Sequence, residues 1–564
     1  MKKEMNSTPK TLKNTEFPKY QRNLIGDFRS IRFRSMFNSL TFRNFFLLLF
    51  AFCFLIFDIS IASPLENIST DSWIYDYIDY LRTAGQIRTI PSTSKPWTRK
   101  YTALLVKEAL DSDKISSQAD IFLFRLSREL YDELTKLGYK LQESRNPLLR
   151  FKLFETDNNQ GLEIQSDLFG RAQADTFNQS ASIGGVFKTG YDERFTAYER
   201  VEYAMYRNKI PDIQDSAGIH VPGTRVHSWM KIATLQIEQA YFNFKIPWFI
   251  LQLGRDKLWF GPGKRKSMML SDTAPALDML QLKGDFHNVK LLSFTAALSR
   301  WGEKQRFLSG QRIEVSLFSR LRLGGALFAV HSPDSSQTKS FYGLINPLIP
   351  LYFEIANSGH DDNFLVGWDF TYYLPRTQVY GQLFLDNWEQ DPERVKKQPN
   401  AYCLKLGFYS VPLPLFDFCA EYNKITHYTY YHRIFHIAYT QFDIPLGNPL
   451  GPDADETYLR MNFYPLKWLY PGLQFSYTRR GDRNRGDYIN KTWLDPEQSP
   501  ISTKFPSGIV ENTLAFGPEL VIQPFSDLRI FASGQYYKIT NPDGIDTLPA
   551  RSDFTASIRI EYRY

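Results

Sequence analysis

Aromatic rings recur along the chain beside ionisable side chains, the pairing that recognition of a sugar polymer requires. A ring offers a flat apolar surface to one face of a pyranose, while carboxylate, amide or guanidinium groups bond its hydroxyls. Trp259 stands close to Arg255 and Asp256, Trp301 follows Arg300, and Trp388 lies between Asp386 and Glu389. Tyr431 and Trp493 mark two further polar stretches, and Arg479-Arg480 is a basic pair. Arginine favours an acidic polymer, because its planar fork takes a carboxylate with two hydrogen bonds. Each residue also has a plainer use. Single aromatics belong to the interfacial girdles of membrane proteins, and Arg255 with Asp256 suits a salt bridge inside a lumen.

Other chemistries find less support. Asp256, Asp272 and Asp278 are scattered, with no positioned carboxylate pair for glycoside hydrolysis. Ser271-Asp272 lacks a placed histidine for a triad. His427, His432 and His436 cluster in sequence, but the last two share a face only on a helix, so no metal site is expected. Gly261-Pro262-Gly263 permits a tight backbone excursion but does not follow the phosphate-loop pattern. It is expected to fold a loop back into a barrel mouth. No cofactor and no enzymatic activity are expected.

These side chains need a scaffold, and composition narrows it. The 564 residues include 10 Trp, 33 Tyr and 45 Phe, so aromatics reach 16%. A mean hydropathy of −0.35 excludes a polytopic helical membrane protein. Two aromatic girdles around a transmembrane β-barrel account for both values. The formal charge of +7 is misleading as a sign of nucleic-acid binding. Residues 1–62 carry ten Lys or Arg against four Asp or Glu, so the remainder is nearly neutral and no nucleic-acid partner is expected.

Phe45–Phe57 is an apolar run of about 13 residues, short for a membrane span and typical of a signal-peptide core. Basic residues precede it, and Ser60-Ile61-Ala62 suits cleavage after Ala62. Residues 1–62 are therefore read as a signal peptide with a long basic leader. Met36 is an alternative start.

Residues 63–147 read as a periplasmic helical domain. Trp73, Tyr77, Ile78 and Leu81 recur at helical spacing before Gly85. Thr98 is placed as the N-cap of a second helix, and Gln118 to Leu137 forms a third that stops at Gly138. From 148 to 564 the period changes to two. Ala556, Ile558, Ile560, Tyr562 and Tyr564 alternate with Ser557, Arg559, Glu561 and Arg563. In a membrane barrel the apolar face meets lipid and the charged face the lumen.

Short connections such as Lys245–Trp248, Asp285–Asn288, Leu374–Arg376, Val411–Pro414 and Pro524–Asp527 alternate with long ones. The long ones lie near 207–225, 254–275, 332–363, 388–400, 482–511 and 541–551. Up-and-down parity then excludes Tyr430–Tyr439 as a through-strand and, with a periplasmic N-terminus, Leu149–Phe154 as a strand, which leaves about 18 strands. A hairpin centred near Val411 would set Cys403 opposite Cys419, both facing the lumen. Opposed Cα atoms roughly 4.5 to 5.5 Å apart lie within disulfide range.

The segment Gly254-Arg-Asp-Lys-Leu-Trp-Phe-Gly-Pro-Gly263, continued by Met268–Ser271 and Ala274-Pro275, resembles the Wzi-type capsule-assembly family. So do Pro445–Glu456 and Arg479-Arg480-Gly481. The resemblance runs from about residue 70 to the end. It implies an 18-stranded outer-membrane barrel with a periplasmic helical region, acting as a lectin that holds capsular polysaccharide on the cell surface. Expected partners are that polysaccharide, outer-membrane lipid and the barrel-assembly machinery. A solute-conducting porin and, behind it, a barrel hydrolase are the alternatives.

Overall fold

The computed structural model describes residues 65–563 except 113–116, 140–148, 156–160, 176–178, 192–193, 207–225, 230–232, 333–350, 352–361, 389–399, 433, 443, 483–503 and 526. The expected leader, its cleavage site, Trp493 and Tyr564 lie outside these residues.

Among the described residues, eighteen antiparallel staves close a barrel. They are β1 (Gly161–Asp175), β2 (Gln179–Tyr191), β3 (Phe195–Tyr206), β4 (Ala233–Ile246), β5 (Phe249–Asp256) and β6 (Leu277–Phe286). Next come β7 (Val289–Trp301), β8 (Lys304–Leu317), β9 (Leu321–His331), β10 (Asn363–Leu374), β11 (Thr377–Asn387) and β12 (Ala401–Leu413). The last six are β13 (Phe416–Ile425), β14 (Ala454–Phe463), β15 (Leu469–Arg480), β16 (Glu511–Phe525), β17 (Leu528–Thr540) and β18 (Arg551–Arg563). The seam is the pairing of β18 with β1, from Ser557↔Asp175 to Arg563↔Phe169.

The period-two pattern reads out as an inside-out sheet. Phe554, Ile558, Ile560 and Tyr562 of β18 are exposed outward, while Ser557 bonds Ser533 and Arg563 reaches Asp167 on the inner wall. Water cannot satisfy strand edges in hydrocarbon, so closure is what makes an apolar outer face tenable.

Leu149–Glu155 departs from the parity expectation, because it is a strand. It pairs with Gly161–Ser166 at the start of β1, on the edge that β18 leaves uncovered, and so is not a through-stave. Tyr430–Tyr439 is not a through-strand, as expected, and contains a single 3-10 turn at Phe435–Ile437.

Helices α1 (Ile74–Thr83), α2 (Arg99–Leu110), α3 (Ser117–Glu129) and α4 (Tyr131–Lys136) precede the barrel. Gly85, at φ +90°, ends α1, with the Gln86 N–H donating back to Leu81 O. The Thr98 hydroxyl caps α2 by accepting from Tyr101 N at 3.2 Å. The helix expected over Gln118–Leu137 is broken at Leu130, whose backbone leaves the helical region.

The helical core is shared with the barrel. Ile78, Leu81, Phe122 and Leu126 form one buried cluster with Tyr380, Tyr409, Val411, Tyr464 and Tyr470 of the inner wall. Arg125 donates to Lys467 O and Gln523 O, and Arg82 to Ser319 O. The helices therefore sit in the short-turn mouth.

Candidate functional site

Two excursions from the long-loop end fold back into the lumen. The first runs from the end of β5 to the start of β6. Gly261 and Gly263 hold φ of +107° and +128°. A Cβ on Gly261 would lie 2.8 Å from the Gln382 amide, and one on Gly263 2.8 Å from Lys405 Nζ. Only glycine brings the backbone this close to the wall.

Wall side chains then pin the loop. Gln382 Oε1 accepts from Met268 N at 2.9 Å and its Nε2 donates to Pro262 O. Lys405 Nζ donates to Arg265 O and Lys266 O at 2.8 and 3.0 Å, and Glu421 accepts from Lys264 N and Arg265 N. Lys264 also reaches Asp76 and Asp79 of α1 at 2.9 and 2.7 Å. Burial opposes the Lys264 charge, but these two carboxylates outweigh it and raise its pKa above the ordinary lysine value. Burial likewise pushes Asp272 up, and Lys266 at 2.5 Å outweighs it and holds the carboxyl below the usual range.

The second excursion joins β13 to β14. Tyr430 OH donates to Met268 O at 2.7 Å, so the two excursions touch. Arg306 donates to Ala438 O and Thr440 O, and Asn363 to Ile437 O. Phe260, Met268, Tyr430, Tyr439 and Leu446 make one buried cluster with wall residues Phe294, Phe328 and Phe384. Helices and excursions thus occupy the lumen against β6–β14.

Several expected residues lie in this plug. Asp256 is buried and accepts from Asn67, Gln239 and Gln252 side chains at 2.8–3.1 Å. It does not pair with Arg255, a correction that follows from strand geometry: consecutive residues face opposite sides. Arg255 points outward and makes a two-bond contact with Asp278 at 2.8 and 2.7 Å. Trp259, expected near an external mouth, is 5% exposed. Its Nε1 donates to Gly261 O, and Lys95 and Lys266 lie 4.8 and 5.6 Å from its ring centroid. Tyr431 is buried in the second excursion.

The long-loop rim holds the rest. Trp388, 55% exposed, lies 6.2 Å from the ring of Tyr402. Lys424 stands over both Tyr402 and Phe505, at 5.8 and 4.4 Å, and His427 meets Phe505 edge-on at 5.7 Å. Alternation sets Tyr402 and Lys424 outward, since Cys403, Asn423 and Ile425 beside them face the lumen and are buried, while Trp388, His427 and Phe505 are carried by the connections. One strand further, Asp455 pairs with Lys424 in register and accepts two bonds from Arg479, at 2.9 and 2.5 Å, and one from Tyr422. Arg480 faces the lumen, 3.6 Å from Glu511. Trp301 stands at the tip of the β7–β8 hairpin, away from this row. Tyr402 and Lys424 were legible as outward residues at strand ends. Phe505 was not, because a loop carries it there.

Of the three histidines, His427 bonds Lys504 O at 2.9 Å and lies 3.3 Å from Asp453, and among the described residues no group of three or more His, Cys, Asp or Glu side chains is gathered. The cysteine register is also corrected. The turn falls at Pro414-Leu415, so Cys403 faces Ile425 and Tyr409 faces Cys419. Both cysteines are buried free thiols on the luminal face, several residues apart along the hairpin.

Fold and plug define a class, an outer-membrane β-barrel with helices and inward-folded loops occupying part of its lumen. The family model for capsule assembly protein Wzi matches residues 158–548, and the chain belongs to that family. Among solved structures, the chain is similar to Wzi of Escherichia coli, described as a carbohydrate-binding β-barrel involved in group 1 capsule assembly. That match has 14% identity and a TM-score of 0.58, and covers 88% of this chain and 98% of that one. The OpdK barrel of Pseudomonas aeruginosa matches at 9% identity over 71% of this chain and 98% of that one, with a TM-score of 0.41. No curated protein sequence matches.

Proposed function

We propose that this protein binds surface or capsular polysaccharide at its long-loop rim and supports capsule assembly as a lectin, without catalysis. The observation that carries this reading is the row Trp388, Tyr402, Lys424, Phe505 and His427 on the long-loop rim, above a lumen partly occupied by the two excursions. Rings spaced along a rim suit successive sugars. Lys424 and the neighbouring Arg479 suit carboxylates of an acidic polymer. Family membership supports the same reading.

The helical domain and short turns face the periplasm, the outward apolar faces meet outer-membrane lipid, and the barrel-assembly machinery inserts the chain. A leader spanning residues 1–62 directs export. The test is binding of purified protein to an array of capsular glycans. Replacing Trp388 and Tyr402 by Ala should weaken binding by about 1 kcal/mol or more per ring. Full retention by a folded double variant places the site elsewhere. The porin reading is answered by planar-bilayer conductance, and the hydrolase reading by turnover on the bound glycan.

A further inference from the structure

The plug sits to one side of the lumen. Where it covers the wall, inward charged side chains are dry: Arg312, Glu314, Asp369, Lys405 and Glu421 are 0–1% exposed. Across the lumen the seam stave β18 shows the opposite. Its inward side chains Asp553, Arg559, Glu561 and Arg563 are 39%, 42%, 34% and 36% exposed, and Thr555 and Ser557 between them are half-buried. Ser533 of β17, which bonds Ser557 at 2.8 Å, is half-buried as well, and so are Arg529 and Gln535 on the same face. Asp553 to Arg563 is the length of a tilted membrane-crossing strand, so this wet row reaches from one side of the membrane to the other.

The plug leaves this side open. On α1, Tyr75 and Tyr77 are buried, while the Asp76 side chain between them is 56% exposed although the helix lies inside the barrel. Asp71, just before α1, is exposed and lines a chamber of about 290 Å³ between plug and wall, together with Glu129, Arg529 and Glu561. The charges there are largely paired, Glu129 with Arg563 and Glu561 with Arg171 and Arg559, so the chamber calls for no ionic ligand. What it calls for is water. Only apolar cavities stay empty, and a space walled by charged groups is wet.

We propose that a water-filled passage runs along β17 and β18 beside the plug and conducts ions and small hydrophilic solutes across the outer membrane. The Glu129–Arg563 pair crosses from α3 to β18 at the short-turn end and keeps the passage too narrow there for a polymer. The passage is an activity beside glycan binding. It shares no residue with the row Trp388, Tyr402, Lys424, Phe505 and His427, and does not rest on that reading.

Planar-bilayer recording in potassium chloride, joined to cysteine labelling, tests it on the full barrel. Folded wild type should add conductance to the bilayer. Its Cys403 and Cys419 face the covered wall and are fully buried, so a membrane-impermeant methanethiosulfonate should leave its current unchanged. In Ser557→Cys the same reagent, added from either side, should label the thiol and lower the current about twofold or more. Heat-modifiable mobility reports folding, and Thr555→Cys serves if Ser557→Cys does not fold. A folded wild type that adds no conductance overturns the proposal. So does a folded variant that stays unlabelled from one side, or one whose current survives labelling. Glycan binding by the labelled variant should stay at the wild-type level. Loss of glycan binding with conductance intact would count against the rim reading and not against the passage.

Discussion

Glu129 on α3 and Arg563 at the end of β18 form an ion pair of 3.1 Å. The helical plug is thereby tied to the stave that closes the barrel. Arg563 also reaches Asp167 on β1, at 3.0 Å, so one guanidinium spans plug and seam. Arg99 on α2 holds the same Glu129 at 3.0 Å and Glu133 at 2.6 Å.

The pair predicts an acid response. Burial alone would raise the Glu129 pKa, but Arg563 and Arg99 outweigh it and lower it from 4.5 to about 2. A depressed carboxylate contributes stability that is complete above its unfolded value and is lost as pH falls toward the folded one. Docking of the helices should therefore weaken between pH 4.5 and about 2. Protease sensitivity of residues 65–139 reads this out. Glu129→Gln should be more sensitive at neutral pH and change less with acid; identical profiles would remove the pair from the account.

Gly263→Ala should loosen the first excursion. A Cβ there meets Lys405 Nζ at 2.8 Å and Glu421 Oε1 at 3.0 Å, at a φ of +128°. The strain is worth about 1–3 kcal/mol. Urea unfolding of the heat-modifiable form should shift to lower concentration. An unchanged midpoint would mean that the loop does not need this approach.

Two tryptophans should separate by phenotype. Trp259→Ala removes a buried ring and should cost about 3–5 kcal/mol of stability. Trp388→Ala removes an exposed ring and should change stability by less than about 0.5 kcal/mol while weakening glycan binding. Unfolding curves and glycan binding, measured on both variants, decide it. Reversed outcomes would exchange their roles.

Cys403 and Cys419 should both alkylate after unfolding without reductant. Because Ile425 is the residue opposite Cys403, Ile425→Cys should form a disulfide that changes non-reducing mobility. A native Cys403–Cys419 bridge in the wild type would restore the register centred on Val411.

Strand character, parity and the end-to-end asymmetry of the loops were all legible in the sequence. The reason is local: a pleated strand sends successive side chains to opposite faces, so lipid and lumen each write every second residue. Ala556 to Tyr562 carries this rule without reference to any other strand. The glycines at 261 and 263 likewise declared an excursion. What the sequence could not determine was where that excursion ends, because Gln382, Lys405 and Glu421, which hold it, lie more than a hundred residues away. Only the closed barrel brings them together. Cys403 and Cys419 failed for a related reason: moving the turn from Val411 to Pro414-Leu415 leaves both on the luminal face but slides one past the other. Period two assigns a face, and register needs the hydrogen-bonded partner. Trp259 and Trp388 looked alike as aromatics beside charge, yet one is packed in the plug and the other stands on the rim, since depth along a barrel is a property of the assembled wall.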